Sequence, residues 1–209
     1  MQGKAWQVLM TTKQDQLKQL RDRMQQDTSL PLRADATQLV FGEGNPDAKL
    51  YFLGEAPGQS EDKQGRPFVG RAGKLLNTLL ERIGMQRADV YISNIVRFRP
   101  PNNRPPTPAE IAAFLPYVNE EIAIIKPLLI VTLGRFSLAK FLPTEKITQA
   151  HGTLHTVDWQ GRRIHVFPLY HPAAALRNPQ MRSALEEDFN KIPSVLAQLQ
   201  SLHQKGPEV

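Results

Sequence analysis

Four short apolar runs alternate with longer segments of helical periodicity along the chain. The runs are LYFL at 50–53, VYISNIV at 90–96, LLIVTL at 128–133 and RIHVFPLY at 163–170. Three of them are almost continuously apolar, which is typical of strands that are covered on both faces. Each run leads into a turn, so the pattern predicts strands that alternate with helices.

The segments between these runs carry helix signals. Leucines recur at helical spacing after the 70–73 turn, and a further helix is predicted over 135–142. TPAE at 107–110 is a capping box with proline at the first helical position. Pro116 lies inside the helical pattern that follows, and we expect it to kink that helix or to break it into two.

The two ends of the chain are also predicted to be helical. A polar helix is expected over about 5–26, and a closing helix over about 179–203 with a possible kink at Pro193. Gln160-Gly161 has the composition of a hairpin turn that leads into the fourth strand.

These elements predict a single domain over 1–209, with its catalytic core at about 40–190. The fold class is α/β, a three-layer α/β/α arrangement with a short, mainly four-stranded parallel central sheet. Ligands of such sheets bind beyond the carboxyl ends of the strands. The segments to search for chemistry are therefore 54–70, 94–106, 134–137 and 170–178.

Composition narrows the possible functions. The formal net charge is +6 and the sequence pI about 9.7, a balance that favours polyanions such as nucleic acid without establishing that one is bound. The chain has no cysteine, which excludes disulfides, thiolate catalysis and cysteine-ligated metal clusters. No signal-peptide core or membrane-length apolar run is present, so we expect a cytoplasmic protein that does not enter a membrane. We also expect the protein to be a monomer.

Candidate binding groups lie at three of the predicted strand ends. Phe68 is an isolated aromatic residue in a loop of glycines and charged residues, where a surface connection would not need it. Asn94 carries a planar amide that suits the edge of a heterocycle, although it could equally tie down a turn. The proline-rich loop at 97–106 presents arginines either to phosphates or to solvent. Pro172 restricts His171 to an extended conformation, so its ring could be aimed reproducibly at a ligand.

Taken together, these stretches resemble the family 4 type of uracil-DNA glycosylase over about 40–189. The blocks that carry the resemblance are, in order, GEAPG at 54–58, ED at 61–62, GRPFVGRAG at 65–73, YISNIV at 91–96, RPPNNRPPTPAEI at 99–111, VTLGR at 131–135 and HPAAALR at 171–177.

The resemblance implies a DNA repair enzyme that flips uracil out of DNA and hydrolyses its N-glycosidic bond, leaving an abasic site. No lysine in these motifs matches an imine-forming nucleophile, so simple hydrolysis is expected. The roles implied are catalysis for Glu55, His171 and Glu61, uracil binding for Phe68, Asn94, Gly54, Ala56 and Pro57, and DNA binding for Arg97, Arg99, Arg104, Leu176 and Arg177. Two alternatives stay open, a relaxed glycosylase that also removes hypoxanthine or other deaminated bases, and a DNA-binding homologue with little turnover.

The chain departs from this family at three places. Members of the family typically bind a four-iron cluster through four cysteines, and the corresponding positions are Phe98, Phe114 and the neighbourhood of Asp27 and Leu30. We therefore expect no cofactor and no metal, with Phe98 and Phe114 packing into the space.

Ala175 replaces a bulkier residue near the wedge, the side chain that fills the gap left in the DNA by the flipped base. Leu176 is therefore a candidate wedge. GRRIH at 161–165 resembles a signature of a cross-linking relative, but it lies on the wrong strand, and covalent capture is not expected.

Overall fold

Six strands form one sheet in the computed structural model, which describes residues 11–204. The strands are β1 (Glu43–Gly44), β2 (Leu50–Gly54), β3 (Tyr91–Asn94), β4 (Leu129–Leu133), β5 (His155–Trp159) and β6 (Arg162–Leu169), in the spatial order β1-β3-β2-β4-β6-β5. The four predicted strands are β3, β2, β4 and β6, and they pair in parallel as expected.

Two antiparallel edge strands extend this parallel centre beyond the prediction. Strand β1 is only two residues long, too short to give an apolar pattern. Strand β5 alternates half-buried and exposed residues, so it lacks the continuous apolar run of the central strands. Gln160 and Gly161 join β5 to β6 with φ angles of 51° and 72°, which is the conformation that a tight hairpin requires. The predicted hairpin turn is confirmed.

Helices cover both faces of the sheet. They are α1 (Lys13–Gln26), α2 (Gln59–Gln64), α3 (Arg71–Arg82), α4 (Pro108–Ile125), α5 (Arg135–Ala139), α6 (Ile147–Ala150), α7 (Pro172–Ala175), α8 (Pro179–Phe189) and α9 (Ile192–Gln204). None of the helices within 11–204 combines the length and the apolarity that a membrane span needs.

Several helix boundaries differ from the sequence prediction. The described part of the first helix begins at Lys13 with a Thr12 capping box, and 5–10 of the predicted helix lie outside the described residues. Helix α4 continues through Pro116, so a break there is wrong; a capping box fixes its start, and a buried face that includes Phe114 holds it on both sides of the proline. The helix predicted over 135–142 ends at Ala139. The closing helix is two helices, because α8 ends at Phe189 before Pro193 is reached.

The sheet separates two apolar cores because alternate residues of each strand face opposite sides. Phe52 of β2 stacks on Phe189 of α8 with ring centroids 5.8 Å apart. Its neighbour Tyr51 points to the other core, which α1 and α4 cover. The predicted three-layer α/β/α arrangement is confirmed.

The positions that correspond to the cluster ligands of the family 4 glycosylases lie in or next to the core that α1 and α4 cover. Phe98 and Phe114 are buried with ring centroids 6.2 Å apart, and Leu30 is buried in the same core. Asp27 accepts a hydrogen bond from the hydroxyl of Tyr117, 2.5 Å away. An iron–sulfur cluster does not fit these residues, because two phenyl rings and a leucine offer it no ligand atom and the chain has no cysteine.

Candidate active site

A cavity of about 640 Å³ lies at the carboxyl edge of the parallel strands. Its lining includes Glu55 after β2, Phe68 from the loop before α3, Asn94 at the end of β3 and His171 after β6. These side chains come from separate parts of the chain, and parallel strands bring them to one edge. The cavity therefore lies where the strand order predicted a ligand.

Asn94 brings an unsatisfied amide to this cavity. The side chain is 2% exposed, and its Oδ1 atom has no hydrogen-bond partner among the described residues. Gly54 makes room for it, because a Cβ at that position would lie 2.4 Å from Oδ1 and 2.6 Å from Cζ of Phe68. A buried acceptor without a partner is costly, and a ligand that supplies a donor would remove the cost.

Phe68 and His171 form the aromatic part of the cavity. Their ring centroids are 5.7 Å apart and their planes are inclined by 30°. Phe68 is 5% exposed and has a φ of 51°, an uncommon backbone conformation for a bulky residue. Backbone outliers of this kind persist only when their surroundings hold them, and they cluster at functional sites.

His171 is fixed as a neutral hydrogen-bond donor. Its backbone is extended, with φ −69° and ψ 132°, as the following proline predicted. Its Nδ1 accepts a hydrogen bond from the backbone N–H of Ala173 at 3.1 Å, which leaves the proton of the neutral ring on Nε2. Burial, assisted by the positive charge of Arg177, lowers the pKa of His171 to about 4. At neutral pH the ring is therefore uncharged, and its Nε2–H is the group that could donate to a ligand.

Two carboxylates line the cavity in different settings. Burial raises the pKa of Glu55 above its usual value, and the charge of Arg135 acts in the opposite direction. Glu61 directs Oε1 to the backbone N–H groups of Val69 and Gly70, at 2.9 and 2.7 Å. Glu61 thus ties the Phe68 loop to the start of α3, whereas Glu55 makes no such bond.

Comparison with known proteins shows the family of this chain. Residues 41–193 match the model of the uracil DNA glycosylase superfamily. The chain belongs to this superfamily. It is 46% identical over 185 residues to the Type-4 uracil-DNA glycosylase of Sulfurisphaera tokodaii, covering 85% of this chain and 84% of the relative. It is 42% identical over 189 residues to the Type-4 enzyme of Thermotoga maritima, covering 90% and 98%. The Saccharolobus solfataricus Type-4 enzyme is 49% identical over 164 residues, 76% of each chain.

Arg97 does not lie at the surface of this superfamily member, and the prediction that it binds DNA is wrong. Its side chain is fully buried, with Nη2 2.7 Å from Oε2 of Glu121 in α4. The hydroxyls of Tyr51 and Tyr91 bond to the same carboxylate at 2.5 and 3.3 Å. The sequence could not reveal this network, because Arg97 lies in a basic loop and its acceptor, Glu121, is 24 residues away on a helix with a largely apolar pattern.

The other predicted DNA-contacting residues lie at or near the cavity rim. Arg177 and Arg104 line the cavity, and Arg104 is held by Glu110 with an N–O distance of 2.6 Å. Arg99 donates to Oδ1 of Asn103 at 2.7 Å. Leu176 is partly buried against the apolar core beside Arg177, and it is not among the lining residues of the cavity.

Arg135 is a cavity residue to which the sequence analysis gave no role. It is exposed at the start of α5, with its guanidinium 4.6 Å from the ring centroid of Phe136. It forms no ion pair with any residue in the described part of the chain. The VTLGR motif was the available signal, since it places a cation directly after a parallel strand.

Ala56 and Pro57, to which the resemblance assigned uracil binding, line the cavity beside Glu55. GRRIH occupies the hairpin turn and the start of β6, at the end of the sheet opposite the cavity. Its arginines therefore lie far from the site along the strand, which agrees with the expectation that this segment takes no part in covalent capture.

Proposed function

We propose that this protein is a uracil-DNA glycosylase that hydrolyses the N-glycosidic bond of uracil in DNA and leaves an abasic site for base-excision repair. The supporting observation is Asn94, which lines the cavity together with Phe68 and His171 and whose buried Oδ1 has no hydrogen-bond partner among the described residues. Relatives named Type-4 uracil-DNA glycosylase at 42–49% identity support the same reaction.

Recognition of the base uses stacking and the Asn94 amide. A uracil extruded from the duplex stacks on Phe68, a contact worth about 1–3 kcal/mol that offsets part of the cost of flipping. Oδ1 of Asn94 accepts from the uracil N3–H, and the amide N–H₂ donates to O4. Cytosine presents an acceptor at N3 and a donor amine at C4, so it reverses both contacts.

Bond cleavage uses His171 and Glu55. The C1′–N1 bond breaks with its electron pair going to uracil, while the sugar gains cationic character. Nε2–H of His171 donates to O2 of the departing anion, and a neutral donor can do this without first losing a charge. The Glu55 carboxylate stabilises the cationic sugar and orients the water whose oxygen bonds to C1′, and it accepts the proton that this water releases. The uracil anion takes up a proton from solvent after it leaves. Glu61 holds the loop that carries Phe68 in place.

The DNA backbone is contacted by arginines at the cavity rim. Arg177 and Arg135 are exposed and form no ion pair with any residue of 11–204, so their charges are available to phosphates. Arg104 and Arg99 flank them on the proline-rich loop, and Leu176 is the proposed wedge.

One chain supplies every group of the proposed site, which supports a monomeric, single-domain enzyme. We propose that it acts in the cytoplasm.

The decisive experiment is excision from end-labelled DNA that carries one uracil, followed by alkaline cleavage of abasic sites. Parallel substrates pair U with G or A, leave U single-stranded, or replace it with T, hypoxanthine or no lesion. Cleavage confined to U supports the proposal, and cleavage at hypoxanthine as well supports the relaxed glycosylase. Tight binding without cleavage of any substrate would contradict the proposal and favour the DNA-binding homologue.

A further inference from the structure

The backbone carbonyls of Pro67 and Phe68 both accept hydrogen bonds from one side chain, Arg87. Nη1 of Arg87 lies 3.0 Å from the carbonyl oxygen of Phe68, and Nη2 donates to that of Pro67. Arg87 belongs to the short 3-10 turn Arg87–Asp89 that precedes β3. It is not a lining residue of the cavity, although its guanidinium bonds to the loop that carries Phe68.

Arg87 is in turn fixed by a carboxylate of the edge strand β1. Its Nε lies 2.6 Å from Oε1 of Glu43, and the Arg87 and Glu43 side chains are only 19% and 25% exposed. The planar guanidinium therefore donates in fixed directions to two carbonyls and one carboxylate, with a longer contact of 3.4 Å from Nη1 to Oδ1 of Asn77. A fork of this kind defines a geometry that a flexible ammonium group cannot reproduce.

Phe68 needs such a support because its backbone is in the left-handed region. A φ of 51° is unfavourable for a residue with a Cβ and a bulky ring. On the α3 side the chain approaches Gly73 so closely that a Cβ there would lie 1.8 Å from the Phe68 carbonyl oxygen. Arg87 bonds to the Phe68 carbonyl and the chain at Gly73 packs against it, so together they hold the backbone from which the ring projects.

We propose that Arg87, held by Glu43, is a positioning residue that fixes the Phe68 ring in the orientation that stacks on the extruded base. The inference rests on the proposed function, since it gives Phe68 the task of stacking. Arg87 does not line the cavity. It acts on catalysis only through the Phe68 backbone.

The test compares Arg87→Met with Arg66→Met. Arg66 binds the same Glu43 carboxylate, with Nε 2.8 Å from Oε2, but it makes no hydrogen bond to either carbonyl. For each variant we measure the folded fraction by circular dichroism, single-turnover excision of U, inhibition by free uracil, and affinity for undamaged DNA. Arg87→Lys, which restores the charge but not the fork, is the conservative variant.

Arg87→Met is expected to lower the excision rate per folded molecule about 10- to 100-fold, the size of effect that a displacement of about 1 Å produces. The inhibition constant for free uracil should rise, while affinity for undamaged DNA stays unchanged. Arg66→Met should keep the wild-type rate, and Arg87→Lys should recover part of it.

Equal rates and equal uracil inhibition in Arg87→Met and Arg66→Met would overturn the proposal. A rate loss that only follows the unfolded fraction would also overturn it, since Arg87 would then serve stability alone. Wild-type protein is assayed alongside; if it excises no uracil, the proposed function itself fails, which separates the two results.

Discussion

The ring of Phe68 lies 5.7 Å from the ring of His171 across one cavity, although the two residues are more than a hundred positions apart in the chain. One ring reaches the cavity from a loop between two helices and the other from the end of β6. In the proposed mechanism, a base in this cavity would stack on Phe68 and accept a hydrogen bond from His171.

Replacement of His171 by alanine is expected to slow uracil excision by about 10²–10³-fold, the usual effect of losing one preorganised donor. The loss should fall on the cleavage step, because His171 bonds to O2 most strongly when that oxygen carries the departing charge. Single-turnover kinetics at saturating enzyme measures it. His155→Ala is the matched control, because that residue is on edge strand β5 and does not line the cavity. Similar single-turnover rates in both variants would remove His171 from the mechanism.

The acidic limb of the rate profile is expected to report Glu55. As pH falls, Glu55 protonates first, because burial raises its pKa above 4.5 whereas His171 stays neutral until about pH 4. The rate should therefore decline as pH falls through the Glu55 pKa. Arg135→Gln removes a charge that opposes the raised pKa, so it should move this limb to higher pH.

The measurement is the single-turnover rate from neutral to mildly acidic pH. Arg182→Gln is a suitable control, since Arg182 pairs with Glu186 on α8 and does not line the cavity. Glu55→Gln should lower the rate and abolish the limb. A limb that keeps its position in Glu55→Gln would assign it to another group.

Substitution of Arg177 is expected to weaken DNA binding without affecting stability, whereas substitution of Arg97 is expected to destabilise the fold. Arg177→Met should leave the free energy of unfolding within about 0.5 kcal/mol of wild type and reduce the slope of log affinity against log salt by about 1. Arg97→Met leaves the buried Glu121 carboxylate unpaired, and should destabilise the fold by about 3–5 kcal/mol. Urea unfolding and salt-dependent DNA binding measure the two effects. An Arg97→Met protein of normal stability would contradict the buried ion pair.

The parallel centre of the fold and the main cavity residues could be predicted from the sequence because both depend on local signals. Apolar runs mark buried strands, and the strand ends then locate Asn94 and His171 at one edge. The two edge strands were not predicted, because β1 has only two residues and β5 is half exposed, so neither gives a continuous apolar run. Contacts between distant segments were equally invisible, and Arg97 with Glu121 is the clearest case.

Arg87 shows the same limit at the site itself. Nothing near Arg87 in the sequence distinguishes it from the other basic residues of the chain. Its role depends on two carbonyls about 20 residues earlier and on Glu43 beyond them. The positive φ of Phe68, which makes the support necessary, is likewise not predictable from the sequence, because a bulky residue rarely adopts it.

Asn94→Ala is expected to separate activity from stability. Oδ1 of Asn94 has no hydrogen-bond partner among residues 11–204, so its loss removes an unsatisfied buried acceptor and should leave the free energy of unfolding nearly unchanged. Two bonds to the base are lost, at about 0.5–1.5 kcal/mol each, which predicts excision slower by roughly 5- to 150-fold. Free uracil should raise the Tm of the wild type but not that of Asn94→Ala.

Asn178→Ala supplies the opposite pattern. Oδ1 of Asn178 caps α8 by accepting from the N–H groups of Gln180 and Met181 at 2.9 and 3.1 Å, so its removal should cost about 1 kcal/mol of stability. Excision by this variant should match wild type. Thermal unfolding with and without uracil, and single-turnover excision, measure both variants. If uracil still stabilises Asn94→Ala as strongly as wild type, the amide does not bind the base, and specificity for uracil must come from another group in the cavity.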